Sequence, residues 1–543
     1  MATTNLPMVA MGATVVMARK CLAIIRTERP RYKLHLSFFS ACGPRFAAAC
    51  ATWLLVLPNG GFAAEWRVDP HLTVTETYTD NVALARSGQE KSDFITEITP
   101  GISAIGKEGR SHVRFDYSPQ ILLYAQGNQP NRVNHLLSTE GKMELAQNWL
   151  FLDGGANLSR ENASLLGPIS VSNDVGTQNQ TSIRTYHLSP YIVNKFGPYA
   201  NYEIRYQRDG VSSSSDSLSN SQSNKYSINV ESGPAYNRYK WAVKLFKEDV
   251  DYTTAADQGS RIANFDFSYF LTPRFALTAT EGYEKYNFLT TGDKPQGNYW
   301  SAGINWQPSS LTNLKLSGGE HYYGRTYALD FMHRSHAFLW QASYNESVTT
   351  SRANFLMTDT IGTFNSLDKL LSNQFPDPLD RARRINFLIE RFGLDVFNVL
   401  NNQTFLEKRG DASVTWYSGK TTFVLSVFSD ARDTDSIGSV SGVFGGSAGF
   451  NNSSNTRQIG TNLLFDWACA PKTNININTG YSDMKFRDTD EEQKLKYVRA
   501  GVRRQLTPKA TGFLSLRHEM GDSTGSGSSY RENAISASVN LRF

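Results

Sequence analysis

The chain has 543 residues, 40% of them hydrophobic, with a formal charge of +5 and a mean hydropathy of −0.40. The longest mostly apolar run, residues 46–57, is shorter than the roughly 20 residues a helix needs to cross a bilayer, which excludes a helical membrane protein. The positive charge is confined to the leader: without residues 1–64 the chain keeps 48 Lys and Arg against 49 Asp and Glu, a charge of −1. A nucleic-acid partner thereby loses its electrostatic footing.

In chain order, the first element is that leader. Arg19, Lys20, Arg26, Arg29, Arg31, Lys33 and Arg45 precede the apolar run, and small residues follow it at Gly61, Ala63 and Ala64. This is the layout of a signal peptide cleaved after Ala63 or Ala64. Residues 1–64 are read as signal peptide and leader, and residues 65–543 as one domain. Met17 is a candidate for the true start. Cys21, Cys42 and Cys50 leave with the leader, so the lone remaining Cys469 forms no internal disulfide.

From Glu65 onward the sequence alternates. In residues 111–126, Val113, Phe115, Tyr117, Ile121, Leu123 and Ala125 share one parity, while His112, Arg114, Asp116, Ser118 and Gln120 hold the other. Period two is the signature of a strand with one apolar face. Pro119 interrupts the apolar face, and Leu122 and Tyr124 blur the polar one. Ala263, Phe265, Phe267 and Tyr269 repeat the pattern, as do Trp300, Ala302, Ile304 and Trp306.

Parity marks about 22 such segments, and their connections alternate between two classes. Short ones include 107–110, 147–148, 195–197, 235–237, 272–273, 308–310, 418–419, 469–471 and 506–508. Longer ones rich in Gly, Ser, Asn and Asp include 80–92, 161–180, 211–222, 433–455 and 521–531. Short periplasmic turns, long outer loops and an even strand number belong to a transmembrane barrel. The expected fold is therefore all-β, a transmembrane up-and-down antiparallel β-barrel of about 22 strands.

Residues 349–403 break the rhythm and predict a helical insertion in an outer loop. Asp377 caps a helix that Pro378 begins and Gly393 ends. Leu379, Ala382, Ile385, Ile389 and Phe392 keep helical spacing on one face. Arg381, Arg383, Arg384 and Arg391 are the candidate pore constriction if this helix enters the lumen; an extracellular cap with solvated arginines is the alternative.

The last strand runs into the C-terminus, with Ile535, Ala537, Val539, Leu541 and Phe543 on one face and Ser536, Ser538, Asn540 and Arg542 on the other. Val539, Leu541 and Phe543 resemble the terminal signal read by the barrel-assembly machinery. Several phrases also carry a wider resemblance: Glu76-Thr77-Tyr78-Thr79-Asp80-Asn81-Val82, Leu316-Ser317-Gly318-Gly319, Ala342-Ser343-Tyr344 with Val348-Thr349-Thr350, and Phe405-Leu406-Glu407-Lys408-Arg409. In that order they resemble the PEP-CTERM (exosortase) system-associated outer-membrane β-barrel family over essentially the whole chain after the leader. The resemblance implies a bacterial β-barrel associated with exopolysaccharide gene clusters and no established reaction.

No catalytic chemistry is expected. Gly521-Asp522-Ser523-Thr524-Gly525 spells G-x-S-x-G in a loop, whereas that motif works on a strand-to-helix elbow. His333 and His336 flank a turn with no third metal ligand evident and read as solvated turn histidines; the rim neighbours Glu320 and His321 are the one pair to test for an acid–base role, and a solvated rim pair is the favoured reading. No cofactor or metal is expected. The leading expectation is an outer-membrane channel or porin-like barrel, partly occluded by the insertion and passing a polysaccharide. Its partners would be membrane lipid and the assembly machinery, and Arg114, Asp116, Asn540 and Arg542 would line a lumen without strong ion preference. The alternative is a non-conducting structural or docking barrel of a surface-polysaccharide assembly; a barrel enzyme comes third.

Overall fold

A computed structural model describes residues 65–543 apart from 166, 216–217, 289–294, 357–401, 435–454 and 525–528. The leader, the arginines 381, 383, 384 and 391 and the helix expected at 378–393 therefore lie outside the described residues. Those that are described form one sheet of 22 strands, β1 (Glu65–Thr79) to β22 (Tyr530–Arg542). Each strand pairs antiparallel with the next in sequence, and β1 closes the ring by pairing with β22 from His71↔Arg542 to Thr79↔Ala534. Closure gives every strand a neighbour on both sides, the condition for a sheet to stand in hydrocarbon.

The two connection classes sort to opposite ends of the barrel. Tight turns such as Gly109–Arg110 and Gly419–Lys420 join even strands on to odd ones in the reverse sense of the loops, and Glu65 and Phe543 lie at the same end as these turns. The register shifts of several hairpins, at Glu144/Ala146, Phe270/Thr272, Trp306/Ser309, Trp467/Ala470 and Gln505/Thr507, also fall beside short turns. Bulges at a rim bend the strand and end its pairing.

The outward parity is apolar and ordered by height. Trp66, Phe196, Tyr239, Trp306, Trp340 and Trp467 project outward near the short-turn end; Tyr78, Phe94, Tyr283, Trp300 and Tyr327 do so toward the loop end. On β1, Trp66 and Tyr78 are twelve positions apart, about 40 Å along the strand at ~3.4 Å per residue. A tilt of roughly 40° reduces that to about 30 Å, the height of an apolar belt with its aromatic girdles. Val68 and Val74 lie exposed between them. An even-stranded closed barrel with both ends of the sheet at the short-turn side and a belted apolar surface is the architecture of bacterial outer-membrane proteins, and this chain is one of them.

The lumen parity is polar, as expected of Arg114, Asp116, Asn540 and Arg542. Several of its cations are neutralised locally: Arg114 Nε lies 2.9 Å from Asp116, Arg205 2.8 Å from Glu203 and 2.9 Å from Asp153, Lys244 2.8 Å from Asp266, and Arg409 3.0 Å from Asp411. In three of these pairs the partners are two residues apart on one strand, which places both on the same face.

Candidate lumen constriction

The apolar residues that disturbed the polar parity lie together inside the barrel. Leu122 and Tyr124 of β3 (Ser111–Tyr124), Ile95 of β2 (Asp93–Glu108), Phe428 of β17 (Thr421–Asp433), Met484 and Phe486 of β19 (Thr473–Phe486), Leu495 and Tyr497 of β20 (Glu491–Thr507) and Tyr530 of β22 form one buried cluster. Its centre comes from two loops. Val82 and Leu84 enter from the β1–β2 connection, and Leu165, Ile169 and Val175 enter from the segment between β5 (Leu150–Asn162) and β6 (Gln180–Phe196). The described residues of segment 163–179 thus turn inward instead of standing above the mouth. Ile169 and Val175 are fully buried, each contributing about 1.5–3 kcal/mol relative to exposure. Water-filled lumen would give these side chains no such shelter, so the apolar patch on the wall and the apolar segment account for one another.

Polar contacts hold the segment in register. On β21 (Ala510–Ser523), Arg517 donates from Nη1 to Asp174 at 3.1 Å and from Nη2 to Glu532 of β22 at 2.7 Å. Glu519, two positions along the same face, accepts hydrogen bonds from Ser170 Oγ at 3.1 Å, the Val171 amide at 3.4 Å and Tyr530 Oη at 2.9 Å. Backbone carbonyls are satisfied too: Gln493 donates to Gly167 O at 3.1 Å, Tyr124 to Asp174 O at 2.9 Å and Arg132 to Asn173 O at 2.6 Å, and the Tyr530 hydroxyl also reaches Ile169 O. Burial alone would push the Asp174 carboxyl up, but Arg517 and the Ser172 hydroxyl outweigh it and hold the carboxyl below its ordinary range. A charged group taken out of water is tolerated only with such a full set of partners.

A second element crosses the lumen. Helix α1 (Ser351–Leu356) follows β15 (Phe338–Thr350), and Thr350 Oγ1 caps it by accepting the Ala353 amide at 3.1 Å. Arg352, only 2% exposed, reaches the far wall, donating to Ser221 at 2.9 Å and to Glu248 at 3.4 Å and pairing with Asp209. Lys225 joins the same carboxylates at 3.2 and 3.5 Å. Phe355 packs with Ile183, Val211 and Leu218. At the other end of the insertion Asn402 accepts the Ser219 amide at 3.0 Å, and Gln258 donates to its carbonyl at 3.2 Å. The insertion does begin at the outer end, and its described first turn binds inside the barrel.

The reading of Glu320 and His321 as a solvated rim pair is corrected, because His321 is largely buried. Adjacent strand residues point to opposite faces: His321 enters the lumen, where its Nδ1 lies 2.8 Å from Glu284 Oε1 and its ring stacks on Tyr299 and Tyr323. Glu320 faces outward opposite Arg325. The two cannot act on one substrate. His333 is engaged by Thr312 at 2.8 Å, and among the described residues no group of three or more His, Cys, Asp or Glu is placed to hold a metal. Gly521 to Ser523 end strand β21 without a strand-to-helix elbow. The terminal triplet Val539, Leu541 and Phe543 takes the outward parity, with Phe543 70% exposed on the membrane side.

No family model matches the chain, and no curated protein matches it. Among solved structures it is similar to the FrpB iron transporter from Neisseria meningitidis (F5-1 variant), at 11% identity and TM-score 0.46 over 88% of this chain and 82% of that one. It is similar to the siderophore receptor PirA from Pseudomonas aeruginosa, at 10% identity and TM-score 0.40 over 88% and 80%. It is also similar to Pseudomonas aeruginosa OpdK with vanillate, at 11% identity and TM-score 0.33 over 88% and 99%. At such values the similarity carries no functional inference.

Proposed function

We propose that this protein is an outer-membrane channel held closed by its own β5–β6 segment. The observation that carries the reading is the seat of that segment: residues 163–179 lie in the lumen on a matching apolar patch, joined to the wall by Arg517, Glu519 and Tyr530. A barrel serving only as a rigid surface anchor has no need of an apolar patch on its water side. The cargo we assign is a polysaccharide, an assignment supported by the family resemblance of the phrases above and compatible with the locally neutralised charges of the lumen. The reading assigns no reaction to the barrel.

Single-channel recording in planar bilayers tests it. The full chain should show small or rare openings, and a variant with residues 165–175 replaced by a short Gly-Ser linker should show large, steady ones that added polysaccharide blocks. A wide, steady conductance in the unaltered chain would reject self-closure. No conductance in either protein would favour the non-conducting docking barrel.

A further inference from the structure

On the outer wall, three cations stand in one cross-strand row. Lys247 of β9 (Tyr239–Tyr252) is directly opposite Arg261 of β10 (Gln258–Thr272), and Arg261 is directly opposite Lys285 of β11 (Phe275–Asn287). All three take the outward parity, toward the loop end of their strands. Like charges in directly opposed positions destabilise a sheet, so the row costs the barrel free energy unless an anion sits on it. Asp249 answers one of them, lying 2.6 Å from Lys247. Arg261 and Lys285 are exposed and have no carboxylate partner among the described residues.

The next row toward the belt has the complementary character. Leu245, Ala263 and Tyr283 follow in register, and below them Val243, Phe265 and Glu281. Because Ala263 is small between two large neighbours, the wall dips there. A shallow groove of about 380 Å³ runs along Val243, Leu245, Ala263, Phe265 and Tyr283, with Glu281 and Asn298 at its β11–β12 side. Leu245, Phe265 and Tyr283 are exposed side chains of the apolar belt.

From this juxtaposition we infer that the β9–β11 face binds one phosphorylated glycolipid of the surrounding outer leaflet. Its phosphate lies across Arg261 and Lys285, and one acyl chain follows the groove floored by Ala263. Arg261 supplies a planar fork matched to phosphate oxygens, and Lys285 supplies a point charge. Both belong where headgroups meet the belt. The face is independent of the lumen and of its closure.

The full chain in phosphatidylcholine nanodiscs, examined by native mass spectrometry, tests the assignment with bisphosphorylated lipid A as the probe. The unaltered protein should retain the bisphosphorylated form about tenfold better than its dephosphorylated form. The pair R261Q/K285Q should remove that preference, and R261K should keep most of it. Heat-modifiable migration verifies the barrel in each variant, and if the double variant fails to assemble, K285Q alone is compared. Equal retention of the dephosphorylated lipid by the unaltered chain would overturn the site, as would an undiminished preference in R261Q/K285Q. Equal retention of phosphatidylglycerol, or abolition of retention by inorganic phosphate at millimolar concentration, would show general anion attraction and overturn it too.

Discussion

Arg517 and Asp174 lie 343 residues apart in the chain and meet at 3.1 Å inside the barrel. Arg517 is the member of the clasp that cannot be spared, because it pairs with both Asp174 and Glu532. Replacing it by Gln leaves two carboxylates short of a counter-charge in a dry place, a loss of about 3–5 kcal/mol for a broken buried pair. R517Q should therefore open the channel to a large fraction of the linker variant's conductance. A closed R517Q barrel, confirmed folded by heat-modifiable migration, would show that the apolar seat suffices.

Tyr530 offers a milder lesion. Its one hydroxyl proton is shared between Ile169 O and Glu519, and Y530F leaves buried acceptors without it at a cost of roughly 1–3 kcal/mol. Brief exposure to protease should cut within 163–179 faster in Y530F than in the unaltered chain, with the barrel core resistant in both. Equal cutting rates would place the hydroxyl outside the energetics of the seat.

Acid should release the segment. Asp174 is held below its ordinary range when seated, so its contribution is complete above the unfolded value of about 3.9 and is lost as pH falls through the lower, seated value. Conductance should stay low at pH 5 and rise only below about pH 4. In D174N the rise due to this group should vanish. A rise centred near neutrality would point to a different group.

Arg352 and Asp209 should couple strongly. Asp209 is fully buried, so R352Q should cost about 3–5 kcal/mol by leaving it with Lys225 and the Gln207 amide, both on the same oxygen. The double variant R352Q/D209N should recover much of that loss. Additive effects on the urea midpoint of the refolded barrel would show that the contact across the lumen contributes little.

Deletion of Phe543 separates assembly from stability. Its ring is largely exposed on the outer wall and its amide donates to Pro70 O at 3.2 Å. The folded barrel should therefore lose little, within about 0.5 kcal/mol for a surface change. The amount of assembled barrel recovered from cells should nevertheless fall several-fold if Val539, Leu541 and Phe543 are the signal for insertion. A normal yield in the membrane would remove that role.

The barrel was legible because its code is local. Alternation along each strand tells which side chain meets hydrocarbon, and turn composition tells which end is which; both are read within a dozen residues. That is why 22 strands, the two connection classes and the outward parity of the C-terminal triplet agree between sequence and structure. The signal for the constriction was also present, as Leu122 and Tyr124 on the polar parity, but a blurred strand does not say what covers it.

The sequence by itself determined the period of the strands, the even closed sheet it implies, and the membrane-facing surface. Only the tertiary structure decided that segment 163–179 turns inward, that Arg352 reaches Asp209 across the lumen, and that His321 faces Glu284 and not Glu320. The physical reason is that the first set follows from each residue's own backbone geometry. The second depends on closure of the ring, which brings together walls and loops hundreds of residues apart, where burial and charge pairing select among loop positions that local propensity leaves equivalent.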